Sequence, residues 1–508
     1  MNTKKKCIGL LMLIGTVAAV PVLAQDGTPP PTTPVNLITF VNNTEFGATE
    51  LQRGIGTGVQ RACAALAGQG GFQLEGQQLD LFARCNELVQ TSQRIQDGNM
   101  RARDLGLSSD ELLGAIQEIA GEELLGNATM STRVTSGQFS NIAGRLNSLR
   151  LGTANSAIGG RVAYADPIQI DSPNQARMSL NDSNVRGGAA AADVAGSRVG
   201  WFLEGNFGTG DRDQTTNEDG FEFDSTSFTL GLDYTLDRGV IGVAFGIDNY
   251  EADFDTNAVV SGGDLDVDGA AGSLFGAYNL GSWFINGIVS FGTIDNDTAR
   301  RVVYSGNPNC PPAPQACPDI ERTLSGSTDG DYLAGGATIG YDFAVDSWDI
   351  AASLSLAYRD IDIDGYTETD SSGGGLPLAY DDQTIESFRA ILGVNFARTI
   401  SRDFGVVVPQ LRLEWHHEFQ DQPLELVAKY AVEETLPGGA GPGVFAASQC
   451  ISCFQINSGE IDTDFGLVGL GVSAVFSRRW QLYGVYEGIF GLEDITSNTF
   501  SIGLRAQF

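Results

Sequence analysis

From Trp201 to the last residue, apolar and polar positions alternate with period two. Phe228, Leu230, Leu232, Tyr234 and Leu236 alternate with Ser227, Thr229, Gly231, Asp233 and Thr235. Ile241, Val243, Phe245 and Ile247 repeat the pattern, as do Trp348 to Tyr358, Phe388 to Phe396 and Val468 to Phe476. The chain closes on it: Phe500, Ile502, Leu504, Ala506 and Phe508 share one face, and Thr499, Ser501, Gly503, Arg505 and Gln507 the other. Such alternation marks strands with one face in an apolar medium. About twelve segments fit, each near the length a tilted membrane strand needs.

The connections decide whether that medium is a protein core or lipid. Tight turns are expected near Asp237-Arg238, Gly281-Ser282, Val345-Asp346, Thr399-Ile400 and Arg478-Arg479. Long polar connections fall between them, at 209–220, 252–264, 294–328, 362–380, 421–461 and, shorter, 491–497. Strict short-long alternation is the habit of an outer-membrane barrel, with short periplasmic turns and long outer loops. Aromatics at strand ends, among them Trp201, Tyr234, Trp283, Trp348, Trp415 and Trp480, fit interfacial girdles. The fold class expected is mainly β: a 12-stranded antiparallel outer-membrane β-barrel.

The period changes upstream. Leu81, Cys85 and Leu88, and again Leu112, Ile116 and Ile119, recur at helical spacing, and Ser108 with Glu111 reads as a capping box. A further helix is expected from Ser131 to Arg150, with Phe139, Ile142, Leu146 and Leu149 as its stripe. No acidic residue occurs from Leu124 to Ala165, while Arg133, Arg145 and Arg150 do. A basic helix of this kind suits an acidic channel. Glu204, Asp233, Asp248 and Glu414 point into the lumen by phase, so they are the expected partners of those arginines.

The first residues read as export. Lys4, Lys5 and Lys6 precede a short apolar stretch, Ile8 to Val20, and small residues end at Ala24. The expected organisation is a signal peptide at 1–24, a flexible leader and helical passenger at 25–130, and a lumenal helix segment at 131–165. A linker at 166–199 then leads to the barrel at 200–508. The formal charge of the 508-residue chain is -33, which argues against nucleic acid as a partner. In an exported chain the cysteines after Cys7 read as disulfides, paired by proximity as Cys63/Cys85, Cys310/Cys317 and Cys450/Cys453.

Candidate chemistry is sparse. The two histidines, His416 and His417, lie beside Glu414 and Glu418, as a protease or metal site would require. Asp360-Ile-Asp362-Ile-Asp364-Gly365, with Glu368, resembles the start of a calcium loop, yet Ser371 stands where the bidentate acid belongs. No nucleophile elbow, phosphate loop or zinc helix occurs. The expectation is a non-enzyme with no cofactor and no metal.

Residues from about 200 to 508 resemble the translocator β-domain of the autotransporters (type V secretion). The resemblance rests on Gly231-Leu-Asp-Tyr234, Asp382-Gln-Thr-Ile-Glu-Ser-Phe-Arg389, Pro409-Gln-Leu-Arg-Leu-Glu-Trp-His-His-Glu-Phe419 and the terminal Phe508. Gln138-Phe-Ser-Asn-Ile-Ala-Gly-Arg-Leu-Asn-Ser-Leu-Arg150 is similar to the segment preceding such domains. The resemblance implies a monomeric barrel in outer-membrane lipid, inserted by the barrel-assembly machinery through its last strand. It also implies a helix in the lumen and a passenger displayed or released outside. Two alternatives remain open: a surface adhesin whose acidic loops bind a host or matrix ligand, and a plugged channel with a periplasmic N-terminal domain.

Overall fold

The structure is a computed structural model that describes residues 36–121, 126, 131, 137–146, 198–215, 219–256, 262–345, 347–420, 422–458, 462–476 and 480–507. The signal peptide, the linker up to residue 197, Arg133, Arg150 and Phe508 lie outside the described residues.

Twelve antiparallel strands close a barrel. They are β1 (Val199–Arg212), β2 (Phe221–Leu236), β3 (Gly239–Phe254), β4 (Gly263–Leu280), β5 (Trp283–Tyr304) and β6 (Ile320–Val345), followed by β7 (Trp348–Ile363), β8 (Gln383–Arg398), β9 (Gly405–Glu418), β10 (Asp464–Phe476), β11 (Trp480–Phe490) and β12 (Ile495–Gln507). Each pairs with its sequence neighbour, and β1 pairs with β12 from Gly200↔Gln507 to Arg212↔Ile495, which leaves no sheet edge.

Outward positions carry the apolar set. Leu230, Leu232, Ile241, Val243, Phe245, Ile247, Phe291, Leu333 and Leu470 are all exposed. On β5 this band runs from Trp283 to Phe291, the span a tilted membrane strand requires. On β12, Phe500 and Ile502 face outward, but Ala506 is buried. It pairs with Trp201 on one side and Trp480 on the other, and these edge-to-face indoles cover it.

Beyond the band the faces exchange roles. On β4 to β6, outward positions become Asp266, Asp268, Asp295, Asp297, Asp329 and Asp331, all exposed, while Leu265, Val267, Ile294, Val302 and Leu324 are buried on the inner face. The strands therefore continue well above the membrane. Most of 294–328, expected as loop, is the paired extension of β5 and β6, and only 305–319 connects them. With water outside, the outer face no longer needs apolar residues, and the lipid-facing signal disappears. The turn expected at Thr399-Ile400 also moves: Ile400–Arg402 folds back on 405–407, so the chain reverses at 403–404.

The helical region comprises α1 (Leu37–Val41), α2 (Glu50–Gly68), α3 (Gly76–Asp97) and α4 (Ser109–Gln117). Reciprocal capping boxes open α1 at Asn36, α2 at Thr49 and α4 at Ser108. Gly98 ends α3 at φ 73°, the left-handed conformation that glycine adopts at least cost. The stripes read from sequence are the buried faces: Leu81, Cys85, Leu88, Leu112, Ile116 and Ile119 are nearly inaccessible. Their core is shared. It includes Val302, Tyr304, Ile320 and Leu324 of the barrel extensions, with Leu378, Ala428, Phe454 and Ile456 of a small sheet built by Leu378–Tyr380, Glu425–Tyr430 and Phe454–Asn457. The helices thus sit on the long-connection end of the barrel, and β1 begins at the tight-turn end, where Val199 pairs with Tyr234. Among the described residues, no helix is long and apolar enough to cross a membrane.

Candidate functional site

Residues 137–146 form a helix inside the barrel. Ile142 and Leu146 pack with Phe202, Val240, Ala244, Phe275 and Ile288, so the helix rests on the wall made by β1 and β3 to β5. Phe139 reaches β6 at Gly336, where a Cβ would lie 2.3 Å from its ring. Polar side chains fix the register. Asn141 donates to Thr229 Oγ1 at 2.8 Å and Ser227 Oγ at 3.2 Å, and Gln138 donates to the Ala271 carbonyl at 3.1 Å.

Arg145 pairs with Asp233 at 2.5 Å, both side chains fully buried, and its guanidinium lies 5.2 Å from the Phe202 ring centroid. Asp233 also faces Arg505 on the last strand, at 3.6 Å, across Gly200. One carboxylate thus joins the helix to the strand that closes the barrel. Glu204 accepts from the Tyr483 hydroxyl and lies against Gly144, and Asp248 lies against Gly137. Of the lumenal carboxylates singled out in sequence, three therefore touch the helix. Glu414 does not pair with it: its partners are Arg412 at 3.2 Å and His416 at 3.0 Å, two residues away on its own strand face.

Among the described residues, the helix leaves the opposite wall free. A cavity of about 1080 Å³ lies between Phe139 and Ala143 on one side and Arg359, Arg389, Arg412 and Glu414 on the other. Its charges are largely paired. Arg412 also meets Glu487 at 3.2 Å, and Glu418 accepts from Ser387 at 2.7 Å and faces Arg389 at 3.4 Å. His417 pairs with Asp464 at 3.0 Å. The run that resembles a calcium loop does not converge on one point. Asp362 and Asp364 point outward, while Glu368 turns inward and takes Arg300 at 2.7 and 2.9 Å.

The second built region is the interface beneath the helices. Arg322 of β6 grips both Asp80 oxygens of α3, at 2.6 and 2.7 Å, and meets Asp370 at 3.2 Å. Burial alone would raise Asp80, but hydrogen bonds from Arg322 and the Gly375 amide, with the charges of Arg322 and Arg84, hold its carboxyl below the usual value. Behind it, Glu87 lies between Arg84 at 2.8 Å and Arg103 at 2.6 Å. Burial pushes Glu87 up to about 8 against the pull of those arginines. Arg300 donates to the Glu118 carbonyl at 3.2 Å, and Asn307 to the Asp104 carbonyl at 2.6 Å. Two glycines permit the close approach. A Cβ at Gly58 would lie 2.7 Å from the Ser452 carbonyl oxygen, and one at Gly375 would lie 2.2 Å from that of Gln77.

The disulfides Cys63–Cys85, Cys310–Cys317 and Cys450–Cys453 brace both sides of this interface. Arg300, Arg322, Gly58 and Gly375 escape sequence reasoning. The signal in the sequence is Arg300, Arg301 and Arg322 within the acidic stretch 294–328, and the run Gly54, Gly56, Gly58 within one helix.

The sequence profile of the autotransporter beta-domain matches residues 201–487, more than half of the chain. Esterase EstA of Pseudomonas aeruginosa is 27% identical over 288 residues, which cover 56% of this chain and 38% of that protein. Esterase EstA of Pseudomonas putida matches to the same extent, 27% over 288 residues. The chain therefore spans well under half the length of these curated relatives. Among solved structures, the translocator domain of autotransporter NalP from Neisseria meningitidis matches at TM-score 0.44 and 14% identity, over 66% of this chain and 97% of that one. The beta domain of the Bordetella autotransporter BrkA matches at TM-score 0.38 and 18% identity, over 61% of this chain and 99% of that one. Its matched domain, closed barrel and lipid-facing band place this chain in the autotransporter beta-domain family, as a protein of the outer membrane.

Proposed function

We propose that this protein is a translocator that carries its own N-terminal helical region through the outer membrane and displays it there. The observation that carries the reading is the path of the chain. Residues 36–121 stand on the long-connection end, residues 137–146 lie in the lumen, and β1 starts at the tight-turn end. With long connections outside and tight turns in the periplasm, a chain so threaded has its N-terminal region outside. Insertion would use the barrel-assembly machinery, with Phe500, Ile502, Leu504, Ala506 and Phe508 as the signal face of the last strand.

The role is non-catalytic in this reading. The esterase activity named for EstA belongs to a protein of which this chain matches 38%. Here His416 is held by Glu414 and His417 by Asp464, and among the described residues neither is hydrogen-bonded to a serine. The loops expected to bind a host or matrix ligand spend much of their apolar surface on this chain's own helices. Display therefore ranks ahead of adhesion.

A chimera tests translocation. Residues 36–121 are replaced by an unstructured segment bearing an epitope, and the rest of the chain is kept. The epitope is expected to bind antibody on intact cells. Binding only after the outer membrane is permeabilised would overturn the reading.

A further inference from the structure

We infer that the outer loops of the barrel are a docking surface for residues 36–121 of the same chain, which remain bound as a non-covalent cap when the connection to the lumenal helix is cut. The inference deepens the display reading by stating what becomes of the displayed region: it is retained.

Leu37, Phe40, Ile55, Leu66, Leu88, Leu112 and Ile116 are at most 1% exposed, in one cluster with Val302, Leu324, Leu378, Ala428 and Ile456. Neither half is complete alone. Without the helices, the inner faces of the β5 and β6 extensions would open an apolar surface to water. Without the loops, α1 and α4, of 5 and 9 residues, would lose the packing on which helices so short depend. Apolar burial of this kind stabilises by about 25 cal/mol per Å² and needs no covalent tether.

Polar groups then give the contact one orientation. Asp80 accepts from Arg322 through both oxygens and from the Gly375 amide at 2.8 Å. Glu118 supplies its carbonyl to Arg300 and its carboxylate to the Val303 amide, both at 3.2 Å. Arg103 donates to the Ala316 carbonyl at 3.2 Å. These bonds join the helical region to β5, to β6, to the 305–319 connection and to the segment around Gly375, so the cap is held in one orientation. Both partners are preorganised, since Cys63–Cys85 fixes α2 on α3, Cys310–Cys317 closes 305–319, and Cys450–Cys453 adjoins the Ser452 carbonyl beneath Gly58. Preorganised, complementary surfaces lose little entropy on binding, which slows dissociation.

The test uses the full-length protein purified in detergent, with a site for a sequence-specific protease placed between Gly121 and Gly137 and an epitope at Gln69. After cleavage under oxidising conditions, the epitope-bearing fragment is expected to co-elute with the barrel in size-exclusion chromatography. Gly58→Val, which drives a side chain into the Ser452 carbonyl, is expected to release it on cleavage. A parent fragment that elutes free as completely as the variant would overturn the inference. The readout does not depend on sidedness. Labelling of the uncut protein on intact cells tests display separately, so either reading can fail without the other.

Discussion

Arg145, Asp233, Glu204 and Arg505 make a balanced group of two guanidiniums and two carboxylates inside a closed barrel. Arg145 and Asp233 are fully buried, and Arg505 lies 3.6 Å from Asp233. Arg145→Met leaves two carboxylates facing one guanidinium. Asp233→Asn leaves two guanidiniums facing one carboxylate, which is already bonded to Tyr483. Removing one member of a buried pair costs about 3–5 kcal/mol, because the survivor stays out of water without its counter-charge. Each single variant should lose that much stability. The double variant restores the balance, so it should cost less than the sum, with a coupling of about 1–3 kcal/mol. Equilibrium urea unfolding in detergent, read by the mobility shift between folded and unfolded barrel, measures all four corners of the cycle. Singles within about 0.5 kcal/mol of the parent, or strict additivity, would refute the claim that Asp233 ties the helix to the closing strand.

Other consequences are open to direct measurement. With burial pushing Glu87 up to about 8 from its ordinary 4.5, the folded cap is expected to hold a proton between those values where the unfolded chain has lost it. Cap stability should therefore fall as pH rises through that window, and Glu87→Gln should flatten the slope in helix-monitored melts. Asp80 works in the opposite sense: its folded value is depressed from 3.8, so its contribution is present above that pH and lost in stronger acid. Phe245 is 59% exposed in the outward band, so Phe245→Arg should destabilise the barrel by about 2–4 kcal/mol, whereas Asp253→Arg, on the same face above the band, should change little. Replacing Cys63 and Cys85 together with serine removes a crosslink spanning 22 residues and should cost the cap about 3 kcal/mol, seen as a helical transition that precedes barrel unfolding.

The barrel was legible because lipid enforces alternation: Leu230 to Leu236 and Ile241 to Ile247 have no other way to face hydrocarbon and lumen at once. That constraint ends at the membrane surface. Asp295 to Arg301 looks like loop because its outward face meets water, although the same residues pair with β6 throughout. The helical stripes were legible as well, since Leu81, Cys85 and Leu88, and separately Leu112, Ile116 and Ile119, recur at the helical period. Their partners were not, because Leu324 and Phe454 lie more than two hundred residues away and nothing local points to them. Phase alone placed Glu414 in the lumen but could not choose its partner. Arg412 and His416 share its strand face and hold it, while Arg145, the lumenal-helix arginine among the described residues, pairs with Asp233 instead.

The side of the membrane on which the cap lies decides whether the chain is threaded through the barrel. Gln69 is exposed just past α2 and lies outside the shared core, with only a long contact of 3.5 Å from its side-chain amide to the Pro437 carbonyl, so an epitope is placed there. Antibody labelling of that epitope on intact cells, compared with cells whose outer membrane has been opened, measures it directly. Equal labelling in both is predicted. Labelling confined to opened cells would put residues 36–121 in the periplasm and contradict the threading of the chain through the barrel.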